Sequence, residues 1–587
     1  MADPLIVANC SGFYGDRLSA AKEMVDDGPI HALTGDWLAE LTMLILARTQ
    51  AKRPGGGYAR TFVTQMEHVM GTCLDKGIKV VSNAGGLDPD GCADAVQEVA
   101  DKLGLAPKIA YVQGDDLIGR LPELVAAGHD FANIDTGEPI GDDLDQYTTA
   151  NAYLGCWGIV DALNRGADIV ITGRVTDAAV VAGPAAWHHG WQRDDWDALA
   201  GSIVAGHVIE CGAQATGGNY SFFNELSGME YVGFPIAEIE ADGSSVITKH
   251  AGTGGGVTIG TVTSQLLYEI GSPTYANPDV MSRFDTIELD EVGADRIRIS
   301  GTRGEPAPPN LKVAMNSVGG YRNSVSIALT GLDIEAKAAL VEEAFWRSCP
   351  YDPSDFAQVS SQIVRTDKEN PGSNEEAVAS WRITVKDPDE RKVGRAFTNA
   401  GTEIALASIP GFFGLSGGPR GGGSYGVYRP ALIPSELVPQ EVVVGTARTA
   451  VDNTPTSTLD QPIDALVPAL PDLPSGPTAS APIGAIAGAR SGDKGGNANL
   501  GLFTRSPEAY VWLADYLTVD RLKELMSEAA TLEVDRFDLP NIWSLNFVIH
   551  GLLEEGVAAS TRQDPQAKAL GEYLRAKVVD IPTSILV

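Results

Sequence analysis

Short runs of apolar residues, each followed by a stretch of helical length, dominate the first 215 residues of the chain. Four of these runs predict buried strands, at 5–8, 79–82, 109–112 and 168–172. Apolar positions with helical spacing lie between them, as in 37–52, where Asp36 stands at the expected N-cap. Strands that alternate with helices form a parallel sheet covered on both faces. The pattern therefore predicts an α/β fold built on a large parallel sheet.

The pattern changes after residue 216 and again after residue 455. Short strands and many glycines predict an α+β second lobe, with strands at 246–250, 257–263 and 296–300 and a helix at 335–346. Seven prolines between 455 and 482 are typical of an extended linker. The last segment predicts strand, strand, helix, helix, strand and helix, which fits a ferredoxin-like α+β domain. We therefore predict a body at 1–455 with candidate lobes 1–215 and 216–455, a Pro-rich linker at 456–481 and a ferredoxin-like domain at 482–587.

Acidic residues outnumber basic ones strongly enough to narrow the choice of partners. Lys and Arg number 43 against 77 Asp and Glu, a formal charge of −34. Such a field repels nucleic acid and anionic membranes, so we expect neither as a partner. A local basic pocket could still hold an anionic substrate. The six cysteines form no CxxC pair, which indicates free thiols in a cytoplasmic protein without a structural zinc site.

Polar, Gly-rich loops follow all four predicted parallel strands. In open α/β sheets, ligands lie at the carboxyl ends of the strands, and glycine allows close approach to the backbone. If the strands are neighbours, one cleft collects these candidate ligand-binding positions: Asp16, Arg17, Asn83, Gly85, Gly86, Asp115, Arg174 and Asp177. The alternative is that Gly and Asp only form turns and cap helices. Four such loops together favour a site.

A second candidate group lies within residues 206–212. His207, Glu210 and Cys211 offer a base, an acid and a thiol, and the first two would face the same side of a helix. Thr216 and Gly217 follow in a segment that could present backbone N–H groups to a ligand. A purely structural histidine is the alternative. The spacing lacks the second histidine of a zinc-binding helix, so no metal site is predicted.

Glycines next to cations mark a third candidate segment, at 249–256. The backbone N–H groups of a Gly run can hold phosphate or carboxylate, with a cation beside them. The candidate positions are Lys249, His250, Thr253 and Gly254. A hairpin turn is the alternative.

Arg490, Asp493 and Lys494 form the fourth candidate group, in a loop that we expect after a strand at 483–487. Two cations around one carboxylate suit a phosphate, a carboxylate or a contact between domains. The alternative is an ordinary salt-bridged turn.

Six spaced segments resemble the acyclic terpene utilisation protein A family: 11–16, 35–40, 83–86, 173–177, 206–212 and 249–256. Residues 490–495 and 545–547 resemble the small ferredoxin-like domain of that family. The resemblance implies a role in bacterial catabolism of citronellol- and geraniol-type terpenoids, beside acyl-CoA carboxylases, hydratases and dehydrogenases. It implies no particular reaction or catalytic residue.

Our first hypothesis is an enzyme that acts on a branched acyl-CoA or related carboxylic substrate by lyase- or hydratase-type chemistry. His207 would be the base, paired with Glu210, and Asp16 or Asp177 would assist. Arg174 and the 252–256 loop would bind a carboxylate, a thioester oxygen or a CoA phosphate. CoA would enter only as part of the substrate, and no other cofactor is predicted.

Two alternatives remain open at the level of sequence. The chain could be a non-catalytic assembly subunit of an acyl-CoA-processing complex, with carboxylase-type partners. It could instead be a thioesterase or hydrolase that uses Cys211 as its nucleophile, which requires a lowered thiol pKa. In each case we expect a homo-oligomer.

Overall fold

The computed structural model of the chain describes residues 3–53, 55–459 and 461–586. Its strands, numbered in chain order, are β1 Leu5–Asn9, β2 Ala32–Gly35, β3 Lys79–Ser82, β4 Ile109–Gln113, β5 Tyr147–Ala152, β6 Ile169–Thr172, β7 Pro235–Ile239, β8 Ser245–Lys249, β9 Thr274–Ala276, β10 Met281–Arg283, β11 Glu288–Gly293, β12 Arg296–Ser300, β13 Arg303–Glu305, β14 Asn310–Thr330, β15 Gln358–Val364, β16 Val378–Asp387, β17 Gly423–Pro434, β18 Gln440–Val444, β19 Ala447–Val451, β20 Thr478–Pro482, β21 Ala487–Lys494, β22 Asn497–Thr504, β23 Val534–Leu539, β24 Ser544–Ile549 and β25 Val578–Pro582. Its α-helices are α1 Ala20–Asp26, α2 Glu40–Lys52, α3 Arg60–Lys76, α4 Pro89–Leu103, α5 Leu121–Ala126, α6 Trp157–Asn164, α7 Ala179–His189, α8 Trp196–Ile209, α9 Ile259–Leu266, α10 Ile334–Ser348, α11 Phe397–Glu403, α12 Pro507–Tyr516, α13 Val519–Leu525 and α14 Leu570–Arg575.

These elements form two compact units. The first comprises the described residues of 1–316, 428–557 and 566–587, and the second comprises 317–427 and 558–565. The predicted body and the predicted C-terminal domain both contribute to the first unit. The boundaries predicted at residues 215, 455 and 481 stay predictions.

A sheet of eleven strands organises the first unit, in the order β11-β12-β8-β7-β1-β2-β3-β6-β4-β18-β19. The five central strands, from β1 to β4 in that order, are parallel, and the strands on either side are antiparallel. The α/β class is therefore confirmed, with a sheet that is mixed at its flanks. The carboxyl ends of the parallel strands lie along one edge, as a ligand site of this fold requires.

Alternate residues of the central strands enter two hydrophobic cores, one on each face of the sheet. Val7, Ala32 and Val81 pack with α6, α7 and α8 on one face. Leu33 and Val80 pack with α1, α3 and α4 on the other. Burial on both faces explains why these strands are short, nearly continuous apolar runs.

One predicted element of the body is wrong, and one helix begins later than predicted. Residues 257–263, predicted as a strand from their β-branched content, begin helix α9, because the hydroxyl of Thr258 accepts from the N–H of Thr261 and Thr261 bonds back. Helix α2 begins at Glu40 and not after Asp36, which bonds the N–H of Leu38 in the preceding turn. Strand β2, which precedes that turn, was not predicted at all.

The C-terminal part folds as a four-stranded antiparallel sheet, β21-β22-β24-β23, covered by α12, α13 and α14, while β20 pairs with β25. The predicted strand at 483–487 is displaced, because β21 runs on from Ala487 through Lys494. Arg490 to Lys494 therefore lie in a strand and not in a loop. The turn falls at Gly495, which adopts a left-handed φ of 65° and lets β21 pair with β22 over eight residues.

The second unit is built on strands β15-β16-β14-β17. One face of its sheet packs on α10 and α11 around Phe345, Trp381 and Phe397, which are fully buried. Among the described residues, no helix combines the length and apolar character needed to cross a bilayer.

Candidate functional site

Side chains that follow three neighbouring parallel strands meet at the carboxyl edge of the sheet. Asn83, after β3, donates from its amide to Asp36, after β2. Arg174, after β6, donates to Asp177 at 2.6 Å and to the carbonyl of Leu38 at 3.2 Å. Three of the predicted positions, Asn83, Arg174 and Asp177, are thus brought together.

Arg174 is the central cation of this group. Its side chain is 2% exposed and its guanidinium lies 4.1 Å from the ring centre of Tyr153. Burial opposes its charge, yet the surrounding acids, first among them Asp177, hold its pKa well above the usual value. Burial, together with the carboxyl group of Asp177, raises the pKa of Asp36 well above its usual range. Arg174 is therefore a permanent charge among carboxyl groups, two of which, Asp36 and Asp177, have raised pKa values.

A second cation lies nearby on β14. Lys312 donates to Glu40 at 3.4 Å, and the hydroxyl of Tyr153 donates to the same carboxylate oxygen at 3.1 Å. Burial favours a neutral Glu40, but the charges of Lys312 and Arg174 outweigh it and lower the pKa of Glu40 to about 2. Glu40 therefore stays ionised.

His207 and Glu210 lie at the end of α8, on the same side of the helix, with Nδ1 and Oε1 3.5 Å apart. The imidazole packs against Tyr275 and Phe284, with ring centres 5.2 and 5.5 Å away. Burial lowers the pKa of His207 to about 4. Burial and then Asp177 raise the pKa of Glu210 well above its usual range. His207 is therefore neutral near pH 7, and burial favours the protonated form of Glu210.

Cys211 follows Glu210 directly. Burial, then the carboxyl groups of Glu210 and Glu269, raise the pKa of its thiol well above the usual value. A nucleophilic cysteine needs the opposite shift.

The C-terminal domain adds the remaining charges. Lys568 lies 3.2 Å from a carboxylate oxygen of Glu269 and 3.4 Å from Asp493. Lys494 donates to the carbonyl of Glu269 at 3.2 Å. Arg490 donates to the side chain of Gln214, so Arg490 and Lys494 contact the body, whereas Asp493 pairs with Lys568 of its own domain.

Two of these groups titrate close to neutrality. Burial and then Glu269 raise the pKa of Asp493 to about 7. Burial and then Lys312 lower the pKa of Lys494 to about 8. Such values suit groups that exchange protons at physiological pH.

Asparagine side chains fix the C-terminal domain to the body at this point. Asn546 donates to the carbonyls of Ile270 and Gly271 at 3.3 and 2.6 Å. Asn499 accepts from the N–H of Glu269 at 2.8 Å. Glu269 adopts a left-handed φ of 57°, which a non-glycine residue holds only under constraint and which is frequent at functional sites. The domain therefore helps to set the geometry of the central carboxylate.

Several side chains of the cluster remain accessible. Asp177 and Glu40 each keep 30% of their side-chain surface exposed, Lys568 keeps 34% and Glu269 keeps 40%. These are the faces that a small ligand could contact. His207, in contrast, is 2% exposed.

Asp115 lies behind the cluster. Its carboxylate accepts from the N–H of Arg174 at 2.9 Å and from the amide of Asn151 at 2.8 Å, so it orients the loop after β6. The glycines after β3 also shape this edge. Gly86 has a left-handed φ of 54°, and a Cβ on Gly85 would lie 2.5 Å from the carbonyl of Thr172.

The structure does not join Asp16 and Arg17 to this network by any hydrogen bond or ion pair among the described residues. Asp16 accepts from the N–H groups of Gly12 and Arg17 and closes its own loop. Arg17 pairs with Glu23 at 2.9 Å and lies 3.9 Å from the ring centre of Tyr231.

The 249–256 segment contacts itself and neighbouring loops in the way that a structural turn does. Lys249 donates to the carbonyl of Thr253 at 2.7 Å, His250 pairs with the carbonyl of Met24, and Gly254 packs against Gly228. Thr216 and Gly217 lie against this turn. The N–H of Gly256 donates to the carbonyl of Thr216. A Cβ added to Gly217 would have the nitrogen of Gly256 as its nearest backbone atom. Their ligand-binding role stays a prediction.

Sequence reasoning missed several members of the cluster: Asp36, Glu40, Tyr153, Glu269, Lys312 and Lys568. Asp36 follows a strand end as the other loop residues do, so recognising β2 would have found it. Lys312 and Glu269 carry no local signal, because only the tertiary fold brings them to the strand ends. Among the described residues, no three His, Cys, Asp or Glu side chains are arranged to hold a metal ion.

Asp115→Asn is expected to change the pH dependence of stability. Burial raises the pKa of Asp115 from 3.8 to about 7, so its stabilising protonated form is lost as the pH rises through this range. The variant has no such proton to lose. As the pH rises, its free energy of unfolding should therefore increase relative to that of wild type, on the order of 1.4 kcal/mol per pH unit at most. The measurement is the urea unfolding midpoint of each protein from pH 5 to pH 8, at intervals of about one pH unit. Parallel profiles for the two proteins would refute it.

Two family models match the chain. The model described as "Acyclic terpene utilisation family protein AtuA" matches residues 5–444, and that described as "AtuA ferredoxin-like domain" matches residues 481–580. No curated protein matches the chain. The two matches confirm the resemblance noted in the sequence and the ferredoxin-like class of the C-terminal domain. The chain therefore belongs to the acyclic terpene utilisation family AtuA.

Proposed function

We propose that the chain is an enzyme that binds a carboxylic acid or its thioester at the charged cluster and transfers a proton to or from it. The observation that carries this proposal is the junction of Asp177 and Arg174 with Glu269, Asp493 and Lys494, contributed by both the body and the C-terminal domain. Membership in the acyclic terpene utilisation family supports a branched, unsaturated acyl chain as the substrate.

Asp177 is our candidate for the proton-transferring group. Burial raises its pKa despite the adjacent Arg174, and its side chain is accessible. A carboxyl group tuned upward is suited to general acid–base catalysis. Lys494, with a pKa of about 8, is the candidate for the complementary step. In a hydratase-type reaction, one group would activate water for the β-carbon and the other would protonate the α-carbon.

His207 was the base of our first hypothesis. Its low pKa and its 2% exposure favour a different contribution, in which the neutral imidazole forms an uncharged wall beside Asp177, next to Glu210, whose raised pKa favours the protonated form. Such a wall keeps the pKa of the neighbouring carboxyl group high.

The cations support an anionic or strongly polarised substrate. Lys312, Lys494 and Lys568 each interact electrostatically with acids of the cluster. Burial raises the pKa of four carboxyl groups of the cluster, those of Asp36, Asp177, Glu210 and Asp493. The cluster is thus less negative than its composition suggests, within a chain of charge −34. Ammonium groups so placed would hold a carboxylate or polarise a thioester carbonyl.

The test is a substrate panel. The purified full-length chain is incubated with branched enoyl-CoA and 3-hydroxyacyl-CoA esters and with the free acids, and products are followed by mass spectrometry. Conversion by wild type and by Asp101→Asn, a control that neutralises an exposed acid of α4, would support the proposal. No conversion of any member, with stable co-purification of a carboxylase, would instead favour the assembly-subunit alternative.

Cys211→Ser is expected to retain turnover within about twofold of wild type, because the thiol is protonated at neutral pH and contributes no nucleophile. The same assay measures this. Abolished turnover in Cys211→Ser, with Asp177→Asn still active, would restore the thioesterase alternative.

A further inference from the structure

The sheet of the second unit has one apolar and one polar face. In β14 and β16, Val325, Ile327 and Trp381 point into the core. The intervening positions carry hydroxyl groups and a cation, with Ser326 paired opposite Arg382 in the register. Residues that alternate along a strand lie on opposite faces, so these polar side chains share the face away from the core.

A cavity of about 360 Å³ lies on this polar face. Its polar lining includes Ser324, Ser326, Ser380, Ser416, Arg382 and Arg420. A second cavity of about 240 Å³ shares four of these residues, namely Ser324, Ser326, Ser416 and Arg420. Neither lining contains an Asp or Glu among the described residues, although the chain has 77 acidic residues. The volume of the first cavity, about 360 Å³, falls at the lower end of the range for ligand pockets, which is about 300–1,000 Å³.

The arginines at this cavity have no carboxylate partner among the residues that the structure describes. Within the part of the chain that the structure describes, neither Arg382 nor Arg420 forms an ion pair with a carboxylate. Arg322 lies close enough that burial and then the charge of Arg382 lower its pKa. Two guanidinium groups held near each other are stabilised when an anion binds between or beside them.

We propose that this cavity binds the phosphate group of a small-molecule ligand. Guanidinium groups recognise phosphate oxygens in a bidentate manner. Serine hydroxyls can donate further hydrogen bonds to the same oxygens. The phosphate could belong to a free nucleotide or to the CoA portion of a thioester. The proposal rests on residues of the second unit alone and does not depend on the acid–base function proposed above.

Calorimetric titration of the full chain at low ionic strength tests this, with ADP, CoA and dephospho-CoA as probes. Arg382→Ala and Arg420→Ala should each weaken binding about tenfold or more, the effect of losing a charge-assisted hydrogen bond. Arg347→Ala is the matched control, because it removes one exposed arginine from α10 of the same unit, where it pairs with Glu343 at 2.7 Å. Thermal unfolding confirms that each variant is folded.

The probes also identify the source of the phosphate. Equal affinity for ADP and CoA supports a nucleotide phosphate, and weaker binding of dephospho-CoA supports the 3′-phosphate of CoA. Asp177→Asn should bind the same probes as wild type, which separates this site from the proposed catalytic one. No binding of any probe at millimolar concentration, or equal binding by wild type and both cavity variants, would overturn the proposal.

Discussion

Asp177→Asn is expected to lower turnover of an accepted thioester by about a hundredfold or more while changing KM little. Asparagine preserves the shape of the side chain and can still accept a hydrogen bond from Arg174, now 2.6 Å from the carboxylate. It cannot take up or release a proton. Steady-state kinetics of Asp177→Asn and of the control Asp101→Asn measure the difference.

The pH profile separates a catalytic role from a structural one. Burial raises the pKa of Asp177, so in wild type the limb of kcat that reports this group should lie above the usual range of an aspartate. Asp177→Asn should lose that limb. If the variant keeps both the rate and the profile of wild type, Asp177 is not the proton-transferring group.

Arg174→Ala is expected to have the largest effect on stability, a loss of about 3–5 kcal/mol in the free energy of unfolding. The substitution removes the charge that compensates Asp36, Asp177 and Glu40. It also removes the cation–π contact with Tyr153. The comparison is Arg165→Ala, which breaks an exposed pair with Asp161 on α6 and should destabilise the chain far less.

Lowering the pH should shrink the defect of Arg174→Ala. Asp36 and Asp177 have raised pKa values already, and without the guanidinium they protonate more readily still, which removes the uncompensated charge. Urea unfolding at pH 7 and pH 5, on the order of two units apart, measures both effects. A defect that is equal to that of Arg165→Ala, or that grows on acidification, would contradict the electrostatic explanation.

Local pattern was sufficient for four of the five central strands, β1, β3, β4 and β6. Strands at 79–82 and at 109–112 are short apolar runs between helices, and the structure has them at Lys79–Ser82 and Ile109–Gln113. Because parallel strands end at one edge, the positions of Asn83, Arg174 and Asp177 followed from their place after a strand. That part of the cluster was predictable because one strand end determines one loop.

The rest of the cluster depends on contacts between distant parts of the chain. Lys312 lies in the long strand β14, and Glu269 lies just after α9. The β-branched residues of α9 favoured the prediction of a strand at this position. Lys494 was expected in a loop, but small residues between the charges allow β21 to continue to the turn at Gly495. Tertiary pairing overrode local propensity in each case.

The contribution of the C-terminal domain follows from the same geometry. Lys494 and Lys568 come from this domain, and Asn499 holds the constrained backbone of Glu269. The body alone would keep Asp177 and Arg174 but would lack both cations beside Glu269. In this account, the ferredoxin-like domain is therefore part of the site and not only a means of assembly.

Hydrogen exchange into the substrate would reveal proton transfer by Asp177 without requiring net turnover. The full chain is incubated in D2O with each branched enoyl-CoA and 3-hydroxyacyl-CoA ester, and deuterium at the α-carbon is measured by mass spectrometry. Incorporation is expected with wild type and with Asp101→Asn, and loss of incorporation is expected with Asp177→Asn. No incorporation into any ester, or equal incorporation by wild type and Asp177→Asn, would contradict proton transfer by Asp177.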